Sequence, residues 1–248
     1  GIGWHIAREL AALGYGIVAV SNQREQLGHL KSELERHFQI RVRILDLNLS
    51  HQNAASEVYA FCKEQKLQVE VLVNNAGMMH YGEVANARED TVRSILNLHM
   101  HTPVMLCRLF GRHMQAEGKG YILNVSSISS VMPYPKISLY GPTKNFLRRF
   151  TGALRHEMKA VGVHVTCLIP GATDTALYDT SKINVSLAIG LRIMKQPENV
   201  ARAGVKALFR NRAIRIPGTV NKFVVFLFPL IPVFIIGWIY KLVKRKGW

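Results

Sequence analysis

The sequence of 248 residues predicts a doubly wound α/β fold with a parallel sheet. Short apolar runs rich in valine and isoleucine alternate along the chain with longer segments of helical periodicity. An uninterrupted apolar run is typical of a strand covered on both faces, and the alternation is typical of right-handed parallel connections. Glycine and polar residues follow most of these runs, at the edge where such sheets bind ligands.

The first half of the chain begins with a predicted helix over residues 3–14, where Ile6, Leu10 and Leu13 have helical spacing. The run GIVAV at 16–20 predicts a short buried strand. The same patterns predict a helix over about 24–38, a strand at 42–45, a helix over about 50–65 and a strand at 69–73.

The second half continues the alternation up to a change in composition. The patterns predict a long helix over about 88–115, a strand at 121–127, a helix over 140–161 and a strand at 163–169. We therefore expect one domain over residues 1–218, followed by an apolar helical extension with a basic end over residues 219–248.

The net charge of +16 is concentrated in the last quarter of the chain. Between Arg192 and Lys222 there are eight Arg or Lys residues and one acid, Glu198. Such a run could face nucleic acid or anionic lipid. Because the run contains a single aromatic residue, Phe209, and adjoins an apolar segment, we predict a membrane partner and no nucleic acid.

The apolar segment at 223–240, FVVFLFPLIPVFIIGWIY, contains no charge. Its eighteen residues would reach about 27 Å as a helix, close to the ~30 Å hydrocarbon core of a bilayer. Pro229, Pro232 and Gly237 would kink it, so a helix in the membrane interface is an equal alternative. A buried helix or a subunit interface is a third. We expect the protein to be located at the cytoplasmic face of a membrane.

Cysteine and histidine usage gives no sign of disulfides or metal. Cys62, Cys107 and Cys167 stand singly without CxxC spacing, which favours a reducing compartment. None of the ten histidines forms a metal-binding pair, and satisfied or solvated histidines are the commoner explanation. We predict no metal site.

The turn formed by Gly1, Ile2 and Gly3 opens directly into the first predicted helix. Backbone N–H groups at such a helix start bind the pyrophosphate of a dinucleotide, although two glycines before a helix are also common without a ligand. The strand and first glycine that precede this turn in a βαβ unit are missing. We therefore expect a truncated unit whose sheet lacks its first strand.

Tyr140 and Lys144 are four residues apart, so both side chains face the same side of a predicted helix. A free phenol titrates near ~10, and a neighbouring ammonium favours its ionised form. Ser126 and Ser127 lie fourteen and thirteen residues before Tyr140, at a strand end. These groups predict proton transfer. Taken alone, the pair could be a solvated helix face and the serines a loop.

With NNAG at 74–77, Ser127 and Tyr140-x-x-x-Lys144 in this order, the chain resembles the short-chain dehydrogenase/reductase family, which has a Rossmann fold. The resemblance extends to about residue 218 and implies an NAD(P)-dependent oxidoreductase. It implies that Tyr140 is the general acid or base and that Lys144 favours its ionisation. Ser127 would bind the substrate oxygen.

The resemblance also implies supporting and cofactor residues. Asn97 matches a fourth catalytic position, which would support a water-linked proton path to Lys144. Ser21, Asn22 and Arg24 follow the first predicted strand before any acid, so NADP(H) is favoured over NAD(H). Further implied cofactor contacts are Gly1, Ile2, Gly3, Asp46, Leu47, Asn74, Ala76, Gly77, Tyr140, Lys144, Pro170, Gly171, Thr173 and Thr175. Some of these positions have other readings, since Asp46 could start a helix and the threonines could cap a turn.

The substrate is expected to be a lipophilic ketone. Residues 176–196, the family's lid position, are rich in Leu, Ile and Met, as suits an apolar ligand or a lid packed on its own core. The chain looks like membrane-associated branches that reduce 3-oxoacyl groups, 3-ketosphinganine or steroids. The alternatives are an NAD-dependent hydroxysteroid dehydrogenase and a non-enzymatic membrane-bound Rossmann protein. By resemblance we expect a homo-oligomer that pairs through 88–115 and 140–161.

Overall fold

The computed structural model describes residues 1–133, 135–174, 195–232, 234–238 and 241. Its strands are β1 (Ile17–Ser21), β2 (Val42–Asp46), β3 (Val71–Asn74), β4 (Gly120–Val125), β5 (Val163–Leu168) and β6 (Ile214–Arg215). All of these pair in parallel, β1 with β2 and the other four in the order β3-β4-β5-β6. The predicted α/β class with a parallel sheet is confirmed.

The helices alternate with the strands as the sequence predicts. They are α1 (Ile2–Ala11), α2 (Arg24–Phe38), α3 (Ala54–Glu64), α4 (Glu89–Leu96), α5 (Thr102–Glu117), α6 (Tyr140–Lys159), α7 (Pro197–Phe209) and α8 (Thr219–Leu227). Short 3₁₀ turns occupy Val84–Asn86, Ile128–Val131 and Phe228–Leu230. The apolar C-terminal extension is helical in α8 and at 234–238. In the described ranges, every helix is too short or too polar to cross a membrane.

The long helix predicted over about 88–115 is confirmed as a continuous helical segment over 89–117, in which a π-helical turn at Asn97–His101 lies between α4 and α5. Pro103 has no N–H to donate to the carbonyl four residues earlier. The preceding N–H, of Thr102, donates to the carbonyl of Asn97, five residues back. The turn therefore holds one extra residue, a feature that is frequent at functional sites.

Two apolar layers cover the larger sheet. On one face, Phe110 and Met114 of α5 pack with α3, α6 and Ile122 of β4. On the other, Leu10 of α1 packs with Leu208 of α7. Fully burying one such side chain contributes about 1.5–3 kcal/mol. These layers fix the starts of α1 and α6 beside the carboxyl ends of the strands.

A gap lies between the edge strand β1 of the smaller sheet and the edge strand β3 of the larger sheet. Each of these two strands pairs on one side only, among the described residues. A cavity of about 1700 Å³ opens between them and is lined by every residue of both strands and by much of α1. The gap lies where the sequence predicts a sheet without its first strand.

Candidate active site

One cavity brings together most of the predicted site residues. Those that line it are Gly1, Ile2, Gly3, Ser21, Asn22, Leu47, Asn74, Ala76, Gly77, Ser127, Tyr140, Lys144, Pro170, Gly171 and Thr173. The lining excludes Arg24, Asp46 and Asn97. Thr175 and most of the predicted lid lie outside the described residues. The carboxyl ends of β1, β3, β4 and β5 therefore open onto the same space, as expected for a parallel sheet.

Tyr140 and Lys144 occupy the first two turns of α6, and both are buried. The Nζ atom of Lys144 lies 5.8 Å from the centroid of the Tyr140 ring. Nζ also donates a hydrogen bond to the carbonyl of Val125 at the end of β4, at 3.0 Å. The Ser126 hydroxyl donates to the Lys144 carbonyl at 2.7 Å. These two bonds fasten the start of α6 to the end of β4.

Burial lowers the pKa of Lys144 to about 8, and the charge of a Cys167 thiolate would act in the opposite direction. An ammonium in this position is charged at pH 7 but gives up its proton within about a pH unit of neutrality. A group that titrates near the working pH is suited to relaying protons. The environment of Lys144 is therefore compatible with the proton-transfer role predicted from the sequence.

Replacing Lys144 by Met is expected to raise the free energy of unfolding at pH 7 by about 1–2 kcal/mol. At that pH the fold buries a charge, a cost that the bond to Val125 offsets in part. Between about pH 8 and 10.5 the folded state loses its proton before the unfolded state does. Wild type therefore regains stability over this window, and the gain from the variant disappears.

Urea unfolding of wild type and Lys144→Met at neutral pH and at about pH 10 measures this difference. A variant that is less stable than wild type at neutral pH would contradict the assignment of a buried ammonium.

Ser127 lies in extended backbone, two residues after the end of β4. Its Oγ accepts hydrogen bonds from the backbone N–H of Ser129 at 3.2 Å and from the Ser129 hydroxyl at 3.0 Å. A hydroxyl group has two acceptor positions and one hydrogen. With both acceptor positions occupied, the Ser127 hydroxyl can offer its hydrogen to the oxygen of a substrate.

Asn97 lies at the start of the π-helical turn and is not among the residues that line the cavity. Its Nδ2 donates to the carbonyl of Ser50 in the loop after β2, at 3.0 Å. Thr102 makes a parallel contact, since its hydroxyl donates to the carbonyl of Leu49 at 2.9 Å. Together they tie the π-helical turn to the β2 loop. The proton-path role of Asn97 stays a prediction.

His99, in the same π-helical turn, is a site residue that the sequence did not reveal. It is fully buried. The backbone N–H of Met78 donates to its Nε2 at 3.1 Å, so the ring hydrogen must be on Nδ1. Nδ1 then donates to the Thr143 hydroxyl at 2.9 Å. That hydroxyl passes its own hydrogen to the carbonyl of Leu139 or Tyr140.

This neutral ring joins the loop after β3 to the start of α6. It packs perpendicular to the Tyr140 ring, with the centroids 5.6 Å apart. Burial, and then the charge of Lys144, lower the pKa of His99 to about 2. His99 therefore holds no charge in the physiological range and acts on Tyr140 and Lys144 through position.

A weak signal for His99 exists in the sequence. It lies four residues after Ile95 and seven before Leu106, on the buried face of the helical segment. A buried histidine among apolar neighbours must find two hydrogen-bond partners. Which partners it finds depends on the π-helical turn, which the periodicity did not predict.

Asn74, the first residue of NNAG, takes part in a buried chain of amides. Its Nδ2 donates to Oδ1 of Asn124 at 2.8 Å. Nδ2 of Asn124 in turn donates to the Thr151 hydroxyl at 3.0 Å. The chain links β3, β4 and α6 below the cavity, and satisfied buried networks of this kind fix a unique core arrangement.

Three glycines that line the cavity lie close to neighbouring side chains. A Cβ atom at Gly3 would lie 2.6 Å from Nδ2 of Asn75, and one at Gly171 would lie 2.3 Å from Nδ2 of Asn221. A Cβ at Gly77 would lie 3.4 Å from Nζ of Lys144. A side chain would therefore displace its neighbour at Gly3 and at Gly171, whereas a Cβ at Gly77 would make a close contact with Lys144.

This lining fits a dinucleotide. The N-terminus of α1 opens onto the cavity at Gly1–Gly3, which suits a pyrophosphate. Tyr140 and Lys144 line the same cavity. Among the described residues, none of the His, Cys, Asp and Glu side chains form a group of three that could hold a metal ion.

Comparison with known proteins gives a consistent result. A family model described as short chain dehydrogenase matches residues 1–185. Human 17-beta-hydroxysteroid dehydrogenase type 3 is 31% identical over 209 residues, which are 82% of this chain and 66% of that protein. Mouse very-long-chain 3-oxoacyl-CoA reductase is 29% identical over 189 residues, 73% of this chain and 59% of that protein. The chain thus spans about three fifths to two thirds of these relatives.

A solved structure supports the same fold. It is described as giving structural and biochemical insights into 7beta-hydroxysteroid dehydrogenase stereoselectivity, and it superposes with a TM-score of 0.85. The match covers 92% of this chain and 87% of that one, at 22% identity. At this identity the likeness is one of fold.

Proposed function

Because the chain belongs to the short-chain dehydrogenase family, we propose that it is an NADP(H)-dependent reductase that converts a lipophilic ketone to a secondary alcohol. The observation that supports this most is the burial of Ser127, Tyr140 and Lys144 around one cavity that fits a dinucleotide. A buried lysine of lowered pKa beside a buried phenol suits proton transfer.

The hydride for the carbonyl carbon of the ketone would come from a nicotinamide held in the cavity that Ser127, Tyr140 and Lys144 line. Ser127 donates a hydrogen bond to the carbonyl oxygen, where negative charge develops. Tyr140 delivers the proton to that oxygen, which completes the alcohol. Lys144 favours the ionised phenol that remains and passes on a replacement proton from solvent. The sum is one hydride and one proton added to the ketone.

The end of β1 supports the choice of NADP(H). Ser21 and Asn22 line the cavity there, and Arg24 begins α2. The Ser21 hydroxyl accepts from the backbone N–H of Gln23 at 3.2 Å, which shapes a short turn. Hydroxyl, amide and guanidinium groups suit a 2′-phosphate, whereas a carboxylate at this position would select the ribose of NAD(H).

Replacing Arg24 by Ala is expected to weaken NADPH binding by about tenfold, since it removes one charged hydrogen bond to a phosphate. NADH binding should change by less than about twofold. Arg36→Ala, about 18 Å further along α2, is the matched control. Fluorescence titration with both cofactors measures these effects, and an equal loss for NADH would contradict a contact with the 2′-phosphate.

The names of the relatives support a lipid-like substrate. One is a hydroxysteroid dehydrogenase and the other a very-long-chain 3-oxoacyl-CoA reductase. We propose a 3-oxoacyl or 3-ketosphinganine-like ketone that is reduced at the cytoplasmic face of a membrane, by a homo-oligomer. Hydroxysteroid dehydrogenase activity is the second candidate, since human 17-beta-hydroxysteroid dehydrogenase type 3 is the more similar of these two relatives.

A spectrophotometric screen tests the proposal. NADPH and NADH oxidation are followed with 3-oxoacyl thioesters, 3-ketosphinganine and ketosteroids. We expect NADPH oxidation with one of the first two classes. A steroid preference together with NAD(H) would favour the second candidate, and no ketone-dependent oxidation with either cofactor would contradict both.

A further inference from the structure

The C-terminal extension exposes a series of large apolar side chains. We define the apolar stripe as Phe223, Phe226, Leu227, Leu230, Phe234 and Trp238, whose exposed fractions are 50–76%. Phe223, Phe226 and Leu227 are spaced so that they share one side of α8, and Phe234 and Trp238 share one side of the helical residues 234–238. Large aromatic residues are rarely exposed together on a protein without a partner.

The opposite side of α8 is packed on the domain. Val225 is buried against Cys167, Ile169 and the 3₁₀ turn Ile128–Val131, which directly follows Ser127. Asn221 is also buried, and its Nδ2 donates to the Pro217 carbonyl at 2.7 Å. These contacts fix the rotation of the helix. The apolar stripe therefore cannot turn inward without breaking them.

The charge around the stripe identifies its partner. In the sequence, the exposed basic residues Arg210, Arg212, Arg215 and Lys222 precede the stripe, and Lys241 follows it. The sequence contains no acid after Glu198. If a second copy covered the stripe, two strongly basic surfaces would meet and repel each other. Anionic lipid headgroups, in contrast, complement both the charge and the aromatic side chains.

We infer that the apolar stripe docks the protein on an anionic membrane surface, with the aromatic side chains inserted at the level of the headgroups. A shallow position suits the backbone, because Pro229 and the 3₁₀ turn at Phe228–Leu230 interrupt the helix, and an interrupted helix leaves carbonyls that need water. Docking would hold the Ser127 loop beside the lipid. The inference rests on the proposed function, in which it specifies the membrane partner. Membrane binding can nevertheless be measured without enzymatic turnover.

Cosedimentation with vesicles tests the inference. Wild type is compared on phosphatidylcholine vesicles with and without phosphatidylserine, and with the double variant Phe226→Glu and Leu230→Glu. Leu13→Glu with Tyr81→Glu is the matched control, since both residues are exposed apolar or aromatic side chains elsewhere, at 58% and 70%. Circular dichroism confirms that each variant is folded, and sedimentation velocity gives the oligomeric state.

We expect binding to the phosphatidylserine vesicles, at least tenfold weaker in the stripe variant and unchanged in the control. Equal binding to both lipid compositions, or an equal loss in both double variants, would overturn the inference. So would a wild type that binds neither vesicle but forms a dimer that the stripe variant loses, because a second copy would then be the partner. Binding as expected in a protein that reduces no ketone would leave the docking intact and refute the enzymatic proposal.

Discussion

Replacing Tyr140 by Phe is expected to lower turnover by about 10²–10⁴-fold, the usual contribution of a positioned general acid. The change removes one hydroxyl group and keeps the buried ring, its contact with His99 and the nearby Lys144. The site should therefore keep its shape and its affinity for NADPH. Steady-state kinetics with the ketone selected by the screen measures the loss.

Tyr81→Phe is the control for this variant, since Tyr81 is the same residue type but 70% exposed. It should retain wild-type turnover. Near-normal activity of Tyr140→Phe would show that the proton comes from another group. A loss of NADPH binding in this variant would show that the effect arises from the cofactor site.

The replacement of His99 by Phe is expected to lower kcat by about 10–100-fold. Phe keeps the ring but leaves the Met78 N–H and the Thr143 hydroxyl without their buried partner, at a cost of about 1–3 kcal/mol for each group. We expect this cost to appear as misplacement of Tyr140 and Lys144, with a smaller effect on KM. His101→Phe, in the same turn but exposed, is the control.

Acid narrows the difference in the free energy of unfolding between wild type and His99→Phe. The folded-state pKa of His99 is about 2 and its ordinary pKa is 6.5, so below pH 6.5 the unfolded state takes up a proton that the folded state does not. Wild type therefore loses stability as the pH falls, by up to about 1.4 kcal/mol per pH unit, whereas the variant lacks this loss. Urea unfolding at neutral pH and at about pH 5 measures it. A constant difference would show that His99 is not buried as a neutral ring.

The spacing of Tyr140 and Lys144 was informative because one helical turn dictates which side chains share a face. The bounds of α2 and the parallel alternation followed from equally local patterns. The π-helical turn at Asn97–His101 did not follow from the local pattern, because Pro103 alone could have kinked the helix without such a turn. Local patterns thus indicated the elements and the proton-transfer pair, but not the link through His99.

The C-terminal extension shows a second limit of local patterns. An uncharged apolar run is compatible with a span, an interfacial helix or a buried helix, because each of these hides apolar surface. In the structure, Val225 packs on the domain while Phe226 is exposed on the other side of α8. Which face is covered depends on Cys167 and Ile169, far away in the sequence.

Transfer of deuterium from the cofactor to the product tests the central claim most directly. NADPH labelled at C4 on one face or the other is supplied with the ketone, and the alcohol is analysed by mass spectrometry. We predict that one of the two labelled preparations gives an alcohol with a single deuterium on the carbinol carbon, and that Tyr140→Phe slows its formation. If neither preparation gave an alcohol that contains deuterium, hydride transfer at the Tyr140 site would be contradicted.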